Sequence, residues 1–303
     1  MSHEMTHTHN ISRVSTWILA IRPRTLPAAV APVLVGTAMA IADKGFRFLP
    51  ALAAMAGALL LQISVNLAND YFDYINGVDT SERMGPVRVT QSGLIPPARV
   101  KAAIIVTLGL AAAVGVYLIY AGGWPILLIG LASILSLLAY SGGPYPLASH
   151  GLGDLFVFIF FGPVAVSGTY YVQTLYLTWQ AILVAIPVGL LITAILVINN
   201  LRDINTDHQA GKYTLAVILG DRGARIEYVL LLAGAYAMPS IFWLTGLAPR
   251  WVLLPVISLP MGLYMIRFTW LNTGPQLNQA LTGTAVLSLL FSLLLSIGII
   301  LSS

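Results

Sequence analysis

The sequence predicts an all-α protein, a polytopic membrane helical bundle of about nine transmembrane helices. Of the 303 residues, 58% are hydrophobic and only 9% are charged, whereas a soluble domain carries about 25% charged residues. The mean hydropathy is +0.86. The apolar runs are continuous, lack the alternation of a membrane β-barrel, and approach the roughly 20 residues that a helix needs to cross a bilayer. We therefore expect residues 1–303 to form a single transmembrane domain.

The elements follow from the apolar runs in chain order. Residues 1–12 are expected to form a flexible polar tail. Residues 14–24, VSTWILAIRPR, predict a short interfacial helix that leads into the first span. The nine predicted spans are Leu26–Ala42, Leu49–Ala68, Ala102–Ala121, Trp124–Tyr140, Leu155–Val172, Ile182–Ile198, Tyr228–Leu247, Val252–Trp270 and Ala280–Leu301.

The distribution of charge predicts how the bundle is oriented. With a cytoplasmic amino terminus and nine spans, twelve of the 15 basic residues fall on the cytoplasmic side, and only Lys44, Arg47 and Arg250 fall on the other. An excess of Lys and Arg is typical of cytoplasmic segments. Nine acidic residues beyond the amino-terminal tail fall on that side too, which the same rule does not explain. We infer that the cytoplasmic side uses carboxylates.

Two acidic motifs at the ends of the second and sixth spans repeat each other. In each, an Asn is followed four residues later by an Asp, and a further Asp lies about one helical turn on. These residues are Asn66, Asp70 and Asp73 in the first motif and Asn199, Asp203 and Asp207 in the second. Such spacing places the members of each motif on one face of a helix. A single Asp or Asn at a helix end is commonly a cap, but the repetition favours a shared functional site.

Four converging aspartates predict a cation. Like charges that share a small space repel each other, and Mg²⁺ prefers oxygen ligands and is usually held by one or two carboxylates together with substrate phosphates. The chain has no cysteine and no HExxH motif, so nothing in it suits zinc. The absence of cysteine also excludes disulfides and cysteine nucleophiles.

Basic residues near the acidic motifs are candidates for binding a diphosphate. They lie in two expected cytoplasmic loops, residues 70–100 and 199–225, and at the start of the first span: Arg83, Arg88, Arg202, Lys212, Arg22 and Arg24. A lipid diphosphate would place its tail between the helices, and the metal would neutralise its leaving group. An aromatic pocket would protect an allylic carbocation. The candidate aromatic residues, which are also common at membrane interfaces, are Tyr71, Phe72, Tyr140, Tyr145 and Phe156.

These motifs resemble those of the UbiA superfamily of intramembrane prenyltransferases, and most closely its menaquinone branch. The resemblance covers nearly the whole chain. It is carried by RPRTLPAA at Arg22–Ala29, NLANDYFDYINGVDTSERMGP at Asn66–Pro86, GLGD at Gly151–Asp154 and NNLRDINTDHQAGKYTLAVILG at Asn199–Gly220.

The resemblance implies an activity and a site. A polyprenyl diphosphate would bind through Mg²⁺ to the four aspartates, assisted by Asn66, with Asn199 and Asp79 as further contacts. The allylic cation would alkylate 1,4-dihydroxy-2-naphthoate at the carbon that bears its carboxylate, and loss of CO₂ would give demethylmenaquinone. The protein would lie in the bacterial plasma (inner) membrane, with its amino terminus and both active-site loops in the cytoplasm.

Two departures from the superfamily pattern keep alternatives open. Many members carry a third Asp where this chain has Gly77, and Asp79 is the expected substitute. Hydroxybenzoate prenyltransferases carry Tyr-x-x-x-Lys, whereas Tyr140 is followed here by Pro144, which weakens that assignment without excluding a hydroxybenzoate or homogentisate acceptor. Asp154 is read as a helix cap or an orienting group. An ion-coupled secondary transporter is the alternative from another class, since acidic residues in membrane bundles often mark ion paths.

Overall fold

The computed structural model describes residues 12–77, 85 and 87–303, so most of the predicted tail and the candidate residues Asp79 and Arg83 lie outside it. The described chain is almost entirely helical. Its α-helices are α1 Arg13–Ile21, α2 Pro27–Ala42, α3 Phe48–Ile75, α4 Pro97–Gly122, α5 Trp124–Ser141, α6 Gly153–Ile159, α7 Ala165–Thr174, α8 Trp179–Arg202, α9 Ile204–Gln209, α10 Leu215–Leu244, α11 Leu259–Leu271 and α12 Leu277–Ile300. Short 3-10 turns occupy Pro23–Thr25, Leu147–Ser149, Arg250–Ser258 and Gly274–Gln276, and a π-helical turn at Phe160–Val164 joins α6 to α7.

The membrane-spanning segments confirm the predicted bundle. Within the described residues, eight helical segments are long and apolar enough to cross a membrane. A ninth is obtained when α1 and α2 are counted as one span that bends by 49° after Thr25. The expected interfacial helix is therefore α1, and the bend marks its junction with the first span.

The helices extend further than their apolar runs at the ends that carry the acidic motifs. Helix α3 continues to Ile75 rather than stopping at Ala68, and α10 begins at Leu215 rather than at Tyr228, with a non-helical kink at Gly220 (φ 72°, ψ 172°). Residues 70–75, 97–100 and most of 199–225 are thus helical where loops were expected. For α3 the reason is that polar residues on one face do not end a helix when that face lies against protein. Thr214 also caps α10, since its hydroxyl accepts the Val217 N–H at 3.3 Å.

Helix α8 forms the centre of the bundle. Of its most apolar stretch, 72% of the residues are buried, compared with 56% for α12 and 11% for α4. Fully buried side chains such as Leu191 on α8 and Phe291 on α12 fill the interior between these helices. Because lipid is as apolar as these side chains, packing in a membrane depends on close contact rather than on hydrophobic burial. The central position of α8 places its carboxyl end, which carries the second motif, inside the protein.

Two glycines bring α8 and the π-helical turn into backbone contact. A Cβ atom on Gly162 would lie 2.9 Å from the Cα of Gly189 and 3.0 Å from the carbonyl oxygen of Ala185. Atoms do not approach so closely without rearrangement, so a side chain at either glycine would force the two segments apart. Small residues allow this kind of close approach between membrane helices.

Candidate active site

The first acidic motif lies on one face of α3. Asn66, Asp70 and Asp73 all belong to the continuous part of the helix, and their spacing of four and three residues places them on one face. All three are buried, with Asp70 only 1% exposed and Asp73 6% exposed. Buried carboxylates need hydrogen-bond donors or opposite charges, and the segment that follows the helix supplies both.

Residues 88–90 fold back onto these carboxylates. The backbone N–H groups of Val89 and Thr90 donate to the two different oxygens of Asp70, each at 3.0 Å. Arg88 donates from Nη2 to Oδ2 of Asp73 at 2.7 Å, and Arg88 is itself buried. Both carboxylates are therefore held in fixed orientations by a segment that does not belong to their own helix.

Asn66 holds the bend between α1 and α2. Its Nδ2 donates to the carbonyl oxygen of Ile21 at 2.7 Å and to Oγ1 of Thr25 at 2.9 Å. Arg22 lies within this turn in the left-handed region, at φ 55°, and is half-buried, whereas Arg24 is exposed. The Asn66 amide thus positions the turn that carries two of the basic candidates.

The second acidic motif lies where α8 is interrupted. Asp203 leaves helical geometry at φ −96° and ψ 10°, and α9 follows it with Asp207 in its first turn. Both aspartates are buried, at 5% and 7% exposed. The expectation of an uninterrupted helical face is therefore correct for α3 and wrong for the second motif, because the helix breaks at Asp203.

Arg202 organises the second motif. Its Nε donates to Oδ1 of Asp203 at 2.9 Å, and its Nη2 donates to Oδ2 of the same carboxylate at 2.5 Å. The guanidinium also donates to Oδ1 of Asn199 at 3.0 Å and to Oδ1 of Asn278 at 2.8 Å. Asn278 lies on α12, and sequence reasoning missed it because no motif surrounds it. Arg202 therefore joins the end of α8 to α12 as well as pairing with Asp203.

Lys212 lies next to Asp207. Its backbone N–H donates to the Asp207 carbonyl oxygen at 2.8 Å, and its Nζ lies 3.7 Å from Asp207 Oδ1. The short segment between α9 and α10 thus places a flexible cation beside the last carboxylate of the motif.

Tyr140 connects the two motifs in space. It lies in the last turn of α5, and its hydroxyl is within electrostatic reach of Asp73 from the first motif and of Asp207 from the second. Asp154 acts on the same hydroxyl. A Cβ on Gly153 would lie 3.3 Å from the Tyr140 hydroxyl oxygen, so the close packing depends on a glycine. The two motifs therefore border a common space at one end of the bundle.

The chemistry of the donor set fits Mg²⁺. The four aspartates offer oxygen ligands, and carboxylate oxygens keep lone pairs beyond the hydrogen bonds described above. Within the described residues, no group of three or more His, Cys, Asp or Glu side chains could hold one ion. Mg²⁺ commonly uses one or two carboxylates and takes its other ligands from water and substrate phosphates, so aspartate pairs suit it without a larger cage.

Four of the five candidate aromatic residues already have partners in the bundle: the ring centroids of Tyr71 and Phe72 lie 5.4 Å apart, and Phe156 stacks on Phe160 at 6.1 Å. A Cβ on Gly142 would lie 3.0 Å from the ring of Phe72, and Tyr145 stacks on His150 with the ring centroids 3.5 Å apart. Tyr140 is the aromatic residue that the structure brings beside both acidic motifs.

Asp154 is not a helix cap. The cap position of α6 is Leu152, and no side chain accepts a hydrogen bond there. Asp154 lies instead in the first turn, with 6% of its surface exposed. Sequence reasoning could not detect this burial, because it arises from the packing of α6 against α5 and α8.

The sequence is similar to that of proteins from a known family. The model of the UbiA prenyltransferase family matches residues 29–294. The 1,4-dihydroxy-2-naphthoate octaprenyltransferase of Escherichia coli K12 is 39% identical over 299 residues, which cover 96% of this chain and 97% of that protein. A protein of the same name from Mycobacterium tuberculosis is 42% identical over 247 residues, which cover 82% of this chain and 83% of that protein.

Solved structures show the same fold. A UbiA homolog from Archaeoglobus fulgidus bound to GPP and Mg²⁺ aligns with a TM-score of 0.66 at 18% identity, and the match covers 94% of this chain and 99% of that one. Since the family model spans most of the sequence and the relatives match over most of their own length, the chain is a multi-pass membrane protein that belongs to the UbiA prenyltransferase family.

Proposed function

We propose that this prenyltransferase transfers a polyprenyl group from a polyprenyl diphosphate to 1,4-dihydroxy-2-naphthoate, with release of diphosphate and CO₂, to give demethylmenaquinol, the reduced form of demethylmenaquinone. The relatives from Escherichia coli and Mycobacterium tuberculosis are named for prenyl transfer to this naphthoate. The observation that carries the proposal is the pair of acidic motifs that border Tyr140 at one end of an apolar bundle.

The donor's head group is assigned to the two acidic motifs. Asp70, Asp73, Asp203 and Asp207 would hold Mg²⁺, and UbiA homologs from Archaeoglobus fulgidus have been solved bound to DMAPP and Mg²⁺ and to GPP and Mg²⁺. When bound, the metal would neutralise the charge that develops on the departing diphosphate.

The basic side chains near this head group are proposed to bind its phosphate oxygens. Arg88 and Arg202 hold Asp73 and Asp203 in place, and a guanidinium beside the head group is also suited to phosphate oxygens. Lys212 supplies a mobile cation near Asp207. Arg22, Arg24 and Asn199 are assigned to the same region, and Asp79 and Arg83 are assigned to it from the sequence alone.

The reaction itself needs no protein nucleophile. Departure of diphosphate leaves an allylic carbocation, and the electron-rich naphthoate ring attacks it. The Tyr140 ring lies beside the acidic motifs and can stabilise that cation through its π-electrons. The surrounding bundle excludes water, which would otherwise capture the cation.

The orientation follows from the charge distribution. The acidic motifs and most of the basic residues share one side of the membrane, and the positive-inside rule assigns that side to the cytoplasm. We therefore propose a plasma-membrane enzyme of a bacterium whose site opens to the cytoplasm. Family membership overturns the alternative of an ion-coupled transporter.

A product analysis tests the proposal. Membranes that contain the protein are incubated with Mg²⁺, a mixture of prenyl diphosphates of different length, and either dihydroxynaphthoate or 4-hydroxybenzoate. We expect demethylmenaquinol, detected as demethylmenaquinone after oxidation in air, and equimolar pyrophosphate from the first acceptor, and no turnover after removal of Mg²⁺ with a chelator. Product from 4-hydroxybenzoate, with none from dihydroxynaphthoate, would instead support an alternative acceptor.

A further inference from the structure

Asp154 is a buried carboxylate without a partner. Only 6% of its surface is exposed, and neither carboxylate oxygen accepts a hydrogen bond from another residue that the structure describes. Its own backbone amide is the one donor that acts on it. Polar atoms in protein interiors are almost always hydrogen-bonded, and leaving a buried charge unmatched is costly. A carboxylate in this position therefore indicates a ligand that supplies the donors.

The surroundings of Asp154 place it at the proposed active site. It acts electrostatically on the Tyr140 hydroxyl, which also senses Asp73 and Asp207. Its other acidic neighbour is Glu227 on α10, which is half-buried and whose Oε2 likewise accepts no hydrogen bond. Asp154 on α6 thus lies near the same hydroxyl group as Asp73 on α3 and Asp207 on α9.

A metal ion does not explain this carboxylate. The proposed Mg²⁺ is assigned to the paired aspartates of the two acidic motifs, and Asp154 belongs to neither motif. Capping does not explain it either, because no side-chain cap is formed at α6. What remains is a ligand with hydroxyl or N–H groups, and the proposed acceptor carries two phenolic hydroxyls.

We propose that Asp154 binds the 4-hydroxyl of the naphthoate acceptor, an inference that rests on the proposed function. The 1-hydroxyl is adjacent to the acceptor's own carboxylate and can donate to it internally. The 4-hydroxyl lies across the ring and has no such partner. An unpaired buried carboxylate accepts a hydrogen bond from this hydroxyl and repels the acceptor's carboxylate, so the acceptor is held in one orientation.

This role is consistent with the balance of the reaction. The C–O bond of the donor breaks and its electron pair leaves with diphosphate, while the new C–C bond takes its electron pair from the ring. The bond to the carboxylate then breaks, CO₂ departs, and its electron pair restores the aromatic ring. No net proton moves, so Asp154 acts by binding and orientation and not as a consumed base.

The test compares two acceptors in three proteins. The binding of dihydroxynaphthoate and of 1-hydroxy-2-naphthoate, which lacks the 4-hydroxyl, is measured as quenching of the intrinsic protein fluorescence in the absence of the prenyl donor. The second compound is also measured as a competitive inhibitor of prenyl transfer to the first. In the wild type, loss of the 4-hydroxyl should weaken binding about 10- to 100-fold, as expected for a hydrogen bond to a charged group. In Asp154→Leu the two acceptors should bind within about threefold of each other, and Asp154→Asn, which keeps one acceptor oxygen, should lie between.

The controls separate this inference from the proposed function. The KM for the prenyl diphosphate should be unchanged in Asp154→Asn, and Glu227→Gln, which removes the neighbouring carboxylate, should keep the wild-type preference between the two acceptors. If wild type and Asp154→Asn show the same preference for dihydroxynaphthoate over 1-hydroxy-2-naphthoate, and the wild type still turns over dihydroxynaphthoate, the inference is overturned but the proposed function is not. This comparison holds even if Asp154→Leu fails to insert into the membrane. The same loss of preference in Glu227→Gln also overturns the inference. Failure of the wild type to use dihydroxynaphthoate overturns the proposed function itself.

Discussion

Asp70 accepts its hydrogen bonds from backbone amides 19 and 20 residues further along the chain, whereas Asp203 is paired with the guanidinium of the residue that precedes it. The first motif lies on an unbroken helix and depends on a returning segment for its donors. The second lies at a helix break and supplies its own cation. Two motifs with nearly the same spacing in sequence are therefore organised by different parts of the structure.

The spacing of the motif residues determines where the carboxylates lie, but not which group neutralises them. The Asn-x-x-x-Asp pattern brings carboxylates to the same end of two helices, which is a consequence of helical geometry. It does not determine the counter-charge. In one case that charge comes from tertiary folding of residues 88–90, and in the other from Arg202 and its contact with α12.

The largest expected effect falls on both motifs equally. Asp70→Asn and Asp203→Asn should each lower kcat by at least about a thousandfold, since each removes a charged metal ligand worth several kcal/mol. Activity at limiting Mg²⁺ is the measurement, with membrane insertion unchanged. Asp221→Asn, which alters an exposed acid paired with Arg225, is the matched control. Near-normal turnover in either variant would show that only one motif holds the metal.

The next effect should distinguish the motifs by stability. Arg202→Ala removes the charged partner of a buried carboxylate and breaks the hydrogen bond to Asn278 on α12, so we expect a loss of about 3–5 kcal/mol, and Arg202→Lys should recover part of it. Arg88→Ala should cost less, since its hydrogen bond to Asp73 joins α3 to the segment that follows it and not to α12. Thermal unfolding in detergent measures both, with the exposed Arg222→Ala as control. Equal losses of stability in Arg202→Ala and Arg88→Ala would contradict the conclusion that Arg202 both pairs with Asp203 and links α8 to α12.

A smaller difference is expected between the two asparagines. Asn66→Ala leaves the Ile21 carbonyl and the Thr25 hydroxyl without their donor, at a cost of about 1–3 kcal/mol, whereas Asn199→Ala removes one of several acceptors of Arg202, at about 1 kcal/mol. Asn66→Ala should also raise the KM for the prenyl diphosphate, because the turn that carries Arg22 loosens. If Asn199→Ala raised that KM more, Asn66 would have no special role in positioning.

Lys212→Ala should have the smallest effect. The ion pair with Asp207 is long, at 3.7 Å, and partly exposed pairs contribute up to about 1 kcal/mol, which corresponds to about a fivefold rise in the KM for the prenyl diphosphate. Steady-state kinetics with varied donor provide the measurement, and Lys44→Ala, expected at the opposite membrane face, is the control. An unchanged KM would remove Lys212 from the diphosphate site.

The sequence predicted the spans well because lipid leaves the backbone little choice. Every amide in the hydrocarbon region must be bonded within the protein, so a long apolar run has to be helical. The ends were less accurate, since α3 continues through buried polar residues, and α10 begins at Leu215, ahead of the exposed Asp221 and Arg222. The π-helical turn at Phe160–Val164 was not predicted at all, because such a turn depends on packing around Pro163 and not on an apolar pattern.

Part of the site was also beyond the sequence. The spacing alone predicted that Asp70 and Asp73 lie on one face. The hydrogen bond between Arg202 and Asn278 joins residues 76 positions apart, and no pattern in either segment predicts it. Asp154 is the clearer case. A single Asp after a glycine is usually a solvated or capping residue, and only the packing of neighbouring helices shows that it is buried and unmatched.

The contact between Gly162 and Gly189 has a consequence for the active site. These glycines lie in the interior of two packed segments, one of which carries Asp154 near its start while the other carries Asp203 at its end. A single methyl group there would wedge the segments open and widen the gap across which donor and acceptor must meet, roughly 12 Å along the helix axis from Asp154. The distance between the segments that carry Asp154 and Asp203 thus depends on two residues that have no side chain.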